Sequence, residues 1–139
     1  MLVDVTESPI ARPKKQRNWY SGKKKKHTIK TQLVVNRKTK KIICTAHAGG
    51  KTHDFKLFEM SIGNRIHESI FAQLDSGYQG ILKFHANSEA PKKKPKGGEL
   101  AAEEKSENKR LSRERIFIEN VNAKIKVLAM NAQERISRR

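Results

Sequence analysis

Between His27 and Val35, the residues Ile29, Thr31, Leu33 and Val35 occupy every second position, and Lys41 to Ala46 continues as a run rich in β-branched side chains. Two such stretches around Asn36 to Lys40 predict a β-hairpin, closed by Gly49 and Gly50. A lone hairpin cannot bury its apolar face, so the rest of the chain has to cover it. Leu2 to Thr6 reads as a short strand, and Asp54 caps or opens a helix carrying Phe55, Leu57, Phe58 and Met60. A second short helix is predicted over Ile66 to Phe71, then a brief strand ending at Leu74 and Asp75. Ser76, Gly77 and Gly80 mark a turn, followed by a helical turn with Ile81, Leu82 and Phe84. Pro91 to Gly98 carries four lysines and reads as an exposed basic linker (91–98), and the chain reads as helical from Glu99 through 130. The predicted class is mixed α/β, one domain over 1–139, in which the first strand and the one ending at Asp75 lie side by side through a crossover.

Charge is distributed unevenly along this pattern. The net charge is +17, yet residues 8 to 53 hold 14 Lys or Arg and no acidic residue. Such a segment attracts polyanions, and nucleic acid is the commonest partner. Trp19 and Tyr20 interrupt the basic run just before Lys23, Lys24, Lys25 and Lys26, adding flat stacking surfaces beside phosphate-attracting charge. Read one at a time, these lysines are ordinary solvated charges. The single cysteine, Cys44, excludes an intramolecular disulfide and a zinc site built on several thiolates; in its β-rich run it reads as a small core residue. No stretch approaches the roughly 20 apolar residues of a membrane span, and the N-terminus does not read as a signal peptide. A soluble cytoplasmic protein, nucleoid-associated when bound to DNA, is expected.

Three carboxylates stand where chemistry could be placed. Asp4 lies within an apolar strand and Asp75 at the end of another; each reads either as a turn aspartate or as a strand-borne charge that needs a cation or a metal. On the last helix, at about 100° per residue from Arg115, Glu119 falls near 40° and Lys126 near 20°, whereas Ile118, Val121, Ile125 and Leu128 form an apolar stripe at roughly 220–300°. Glu119 is thus beside the buried face, where an i, i+4 surface pair with Arg115 is the plain alternative to a catalytic role. His53 beside Asp54 reads as a metal ligand or base, or the pair as a helix cap.

The strings Val3-Asp4-Val5-Thr6-Glu7-Ser8-Pro9-Ile10, Tyr20-Ser21-Gly22-Lys23-Lys24-Lys25-Lys26-His27-Thr28, His53-Asp54-Phe55, Asp75-Ser76-Gly77-Tyr78-Gln79-Gly80 and Arg115-Ile116-Phe117-Ile118-Glu119 resemble, in this order, the catalytic domain of bacterial insertion-sequence transposases, in the subgroup similar to Harbinger-type nucleases. The resemblance implies a ribonuclease-H-like core and an Asp, Asp, Glu triad of Asp4, Asp75 and Glu119 that would serve as catalytic and metal-holding groups. The wider signature Y-x2-R-x3-E-x6-K falls on Ser112, Arg115, Glu119 and Lys126, with Ser112 replacing the tyrosine. Lys40 stands where relatives often have a hairpin glycine. The resemblance further implies two Mg²⁺ ions, with Mn²⁺ as a substitute, and duplex DNA steered by Arg115, Lys126, Lys23 to Lys26, Trp19 and Tyr20. It also implies a homo-oligomer, or a partner polypeptide that recognises the element's ends.

Met1 precedes the first acid by three residues, so a chain truncated at both ends and without an upstream recognition domain is expected: a catalytic-domain remnant or one product of a split gene. Three functions therefore compete. They are a metal-dependent enzyme that cuts and joins DNA, a silent DNA-binding fragment that inhibits in trans, and, from charge alone, a basic RNA-binding protein.

Overall fold

In the computed structural model, which describes the backbone of residues 1–137 and the side chains through 129, the hairpin is the centre of a six-stranded mixed sheet. In chain order the elements are β1 (Leu2–Pro9), β2 (Tyr20–Ser21), β3 (Lys26–Val35), β4 (Ile42–Gly49), α1 (Asp54–Ser61), β5 (Ala72–Gln73), α2 (Ile81–Phe84), β6 (Ser88–Glu89) and α3 (Ala102–Ser137). The sheet order is β2-β3-β1-β5-β6, with β4 also paired to β3. β1 runs antiparallel to β3 in a register that sets Asp4 opposite Leu33, and parallel to β5 with Leu2 opposite Gln73. The crossover between β1 and the strand before Asp75 is thus present. This mixed α/β arrangement, a sheet with helices flanking it, is consistent with a ribonuclease-H-like core.

Successive residues of β1 point to opposite faces, and that alternation divides the core. Val3 packs with Val34, Phe58, Ala72, Leu74, Tyr78 and Ile81 on the α1 side, while Leu2 packs with Leu33, Val35 and Ile118 on the α3 side. The hairpin turn is closed by Asn36, whose Oδ1 accepts from the backbone N–H groups of Lys38 and Thr39. Lys40 sits in the left-handed region at φ 61°, the conformation that a glycine there would adopt without strain.

Several local expectations change. The stretch Ile66–Phe71 is not helical; a 3-10 turn covers Gly63–Arg65 instead. Next to it the His67 ring bonds the backbone N–H of Ser69, a local bond that competes with helix formation. Asp54 opens α1 but does not cap it: His53 holds the cap position, and the Asp54 carboxylate takes Lys30 Nζ at 2.7 Å. Cys44 is half-buried against the first core cluster. Along α3 the buried column is Leu111, Arg115, Ile118 and Asn122, and Leu128, expected in the apolar stripe, is 68% exposed. Among the described residues no helix is long and apolar enough to cross a membrane.

The loop before β2 closes onto Gly49 and Gly50. A Cβ on Gly49 would lie 2.1 Å from the Asn18 carbonyl oxygen, a backbone atom that cannot yield like a flexible side chain. Gly49→Ala is therefore expected to lower stability by about 1–3 kcal/mol through this forced displacement. Urea denaturation of the variant checks it.

Candidate active site

Asp4 shares its side of β1 with Leu2, so its carboxylate lies under α3, at 14% side-chain exposure. Asp75 lies two residues past the end of β5. It caps the short 3-10 turn Ser76–Tyr78, accepting from Ser76 N–H at 2.6 Å, and is 47% exposed. One acid is on β1 and the other just past its parallel neighbour β5, and one guanidinium reaches both. Arg115, 5% exposed, donates from NH2 to Asp4 Oδ1 at 3.0 Å and from NH1 to Asp75 Oδ1 at 2.8 Å. Asn122 donates to the second Asp4 oxygen at 2.6 Å. Arg115 and Asn122 are seven residues apart on α3, two turns along the same buried column.

Electrostatics separate the two acids. Burial pushes Asp4 above the ordinary carboxylate range, against the Arg115 charge and the Asn122 hydrogen bond, and the neighbouring Asp75 charge adds to the rise. Burial acts on Asp75 too, but the Arg115 bond and charge and the Ser76 hydrogen bonds outweigh it and hold that carboxyl lower. The signs follow. Asp75, with its folded pKa below the ordinary 3.8, contributes stability that is present above pH 3.8 and lost as pH falls through the folded value. Asp4, raised, contributes stability that is full below pH 3.8 and lost as pH rises through its folded value. Asp75→Asn is expected to flatten the acid limb of the stability profile, and Asp4→Asn the decline on its alkaline side. Urea midpoints taken from about pH 2 to 7 across that window check both.

The expected site residues are not all gathered. Glu119 is exposed, and Arg115 pairs with the two aspartates rather than with Glu119. Lys126 is half-buried two turns beyond Glu119. Lys23, Lys24 and Lys25 form the exposed turn into β3, which Lys26 begins, and Tyr20, 45% exposed, meets His27 edge-on. Trp19 is half-buried beside them.

Sequence reasoning missed Asn122, although its place on the Leu111–Arg115–Ile118 column was the available signal. It also missed Tyr78, whose buried hydroxyl has no hydrogen-bond partner among the described residues. Burial first, then the charges of Asp54, Asp4 and Asp75, hold that hydroxyl protonated well above the usual phenol range.

Two hard carboxylates converging on one positive charge fit a divalent cation in charge and donor type. Among the described residues, Arg115 Nε, Asn122 Oδ1 and the Tyr78 hydroxyl have no hydrogen-bond partner. Among the described residues no group of three or more His, Cys, Asp or Glu is already assembled for a metal.

The model of the family described as "DDE superfamily endonuclease" matches residues 3–138. A curated relative, "Probable transposase for insertion sequence element IS702" of Microchaete diplosiphon, is 52% identical over 128 residues, which cover 91% of this chain and 46% of the relative. The chain thus spans about half the length of the relative it matches. No solved structure matches it.

Proposed function

The chain belongs to the DDE superfamily endonucleases, and from that membership we propose that it supplies the cutting centre of an insertion-sequence transposase. In this reading it hydrolyses phosphodiester bonds at the element's ends and transfers the freed strands to target DNA. The superfamily implies a divalent metal and a DNA substrate. The observation that carries the proposal is the convergence of Asp4 and Asp75, 71 residues apart in sequence, on a single cationic group of α3.

Asp4 and Asp75 would hold the metal, with Glu119 as the third acid. Glu119 lies one turn past Arg115 and just before Asn122, the two α3 residues that bond Asp4. Magnesium suits these oxygen donors, manganese being the substitute. As a pair of ions, the metal would neutralise charge on the attacking and leaving oxygens. Arg115 keeps the two carboxylates together. Lys23 to Lys26 and Lys126 bind DNA phosphates, with Trp19 and Tyr20 beside the lysine turn. A second copy or a separate polypeptide supplies recognition of the element's ends.

A second reading, a DNA-binding chain that does not cut, is favoured by one observation: Arg115 already pairs with both acids while Glu119 stands exposed. Plasmid nicking separates the two. Supercoiled DNA is expected to be nicked in Mg²⁺ and spared in EDTA or by Asp75→Asn. Equal nicking by wild type and variant overturns the first reading, and DNA binding without nicking selects the second.

A further inference from the structure

The basic segment does not end in a flat surface. Asn18, Trp19, Gly49, Lys51 and Thr52 line a recess of about 320 Å³, at the small end of ligand-sized pockets. Its walls are fixed through the backbone. Thr28 N–H bonds Trp19 O at 2.8 Å, Gly50 N–H bonds Thr28 O at 2.9 Å, Thr52 N–H bonds Gly49 O at 2.9 Å, and Lys51 N–H bonds Asn18 O at 3.3 Å. Gly49 is essential to this closure, because any side chain there would strike the Asn18 carbonyl. The residues around the recess include an aromatic (Trp19), a cation (Lys51) and two polar residues (Asn18 and Thr52), and no acid is present in the sequence from residue 8 to 53.

An indole face and a lysine match a nucleobase face and a phosphate. A base offers its face only when it leaves the stack, since within a duplex it presents just its edges. Position adds a constraint. Gly49 pairs with Ile29, and Ile29 with Ser8, four residues along β1 from Asp4. At a strand rise of about 3.4 Å per residue and two inter-strand spacings of about 4.8 Å, Gly49 lies about 17 Å from Asp4 across the sheet, close to five nucleotide steps.

We propose that this recess receives one unpaired nucleobase of the DNA substrate, stacked on Trp19 with Lys51 at its phosphate, about five nucleotides from the phosphate at Asp4 and Asp75. The proposal rests on the DNA-cutting reading above and adds to it a place for a distorted strand.

Trp19 is the sole tryptophan, so its emission reports on this site alone. The full chain is titrated with a synthetic duplex carrying one bulged thymine and with the same duplex fully paired. The bulged duplex is expected to bind about tenfold more tightly and to quench the emission, within the range one stacked base supplies. Trp19→Ala is expected to abolish that preference and Trp19→Phe to keep most of it, both with the wild-type circular dichroism spectrum. Equal affinity of the wild type for the two duplexes overturns the recess while leaving the DNA reading in place. So does a preference that survives in Trp19→Ala. Failure to bind either duplex overturns both.

Discussion

Arg115→Ala is expected to destabilise the folded chain by about 3–5 kcal/mol, the loss that follows when one partner of a buried ion pair is removed and the other is left uncompensated. The larger part of that loss falls on Asp4, because its carboxylate is 14% exposed while Asp75, at 47%, can turn to water. Without the guanidinium, the folded pKa of Asp4 rises further. Its stability contribution, full below pH 3.8, is then lost as pH climbs through that raised value. The deficit of the variant should accordingly be widest near neutral pH and narrow in acid. Arg115→Lys is not a rescue, since a single ammonium cannot fork to two carboxylates as the planar guanidinium does. Adding Asp4→Asn to Arg115→Ala should restore part of the stability, because the unpaired charge is gone; urea curves of the two single variants and the double one measure the coupling. Millimolar Mg²⁺ should raise the melting temperature of Arg115→Ala more than that of wild type, as a cation that binds only the folded form stabilises it. Full wild-type stability in Arg115→Ala at neutral pH would mean that the Asp4–Arg115 pair does not form.

What could be read from the sequence follows the length of the pattern. β3 and β4 alternate over several residues and α3 sustains helical spacing, so both were legible. β2 and β6 are two-residue strands with no period to detect: β2 pairs with the longer β3, and β6 with β5, the brief strand that the apolar run before Asp75 did predict. The predicted helix over Ile66–Phe71 failed where a histidine ring captured a backbone N–H nearby. Asp54 opens α1, one of its two readings, with His53 at the cap position, and its carboxylate goes to Lys30, 24 residues earlier.

The same logic covers the site. Family resemblance marked Asp4 and Asp75, but apolar periodicity alone put the buried side of α3 too far round, toward Leu128. A stripe drawn from hydrophobic residues cannot include Arg115 and Asn122, which are buried because strand-borne acids meet them. Those partners are 40 and 111 residues from Arg115, and 118 from Asn122, separations at which no local pattern carries information.

Asp75→Asn should reduce plasmid nicking about 10³-fold, on the order of 4 kcal/mol of transition-state stabilisation, while DNA affinity stays equal or tightens because a negative charge has left the binding face. The asparagine oxygen can still accept from Ser76 N–H and Arg115, so only a small loss of stability should accompany the lost rate. Asp4→Asn should match that loss of nicking, with a larger structural effect because Arg115 and Asn122 are packed on it. Glu119→Gln discriminates most sharply. Its side chain is exposed and makes no hydrogen bond among the described residues, so a merely structural role predicts no change in either rate or stability. A third acid at the cutting centre predicts a rate loss of the same order as Asp75→Asn with an unaltered urea midpoint. Undiminished nicking by Glu119→Gln would remove it from the centre and leave Asp4 and Asp75 to act with a different third group.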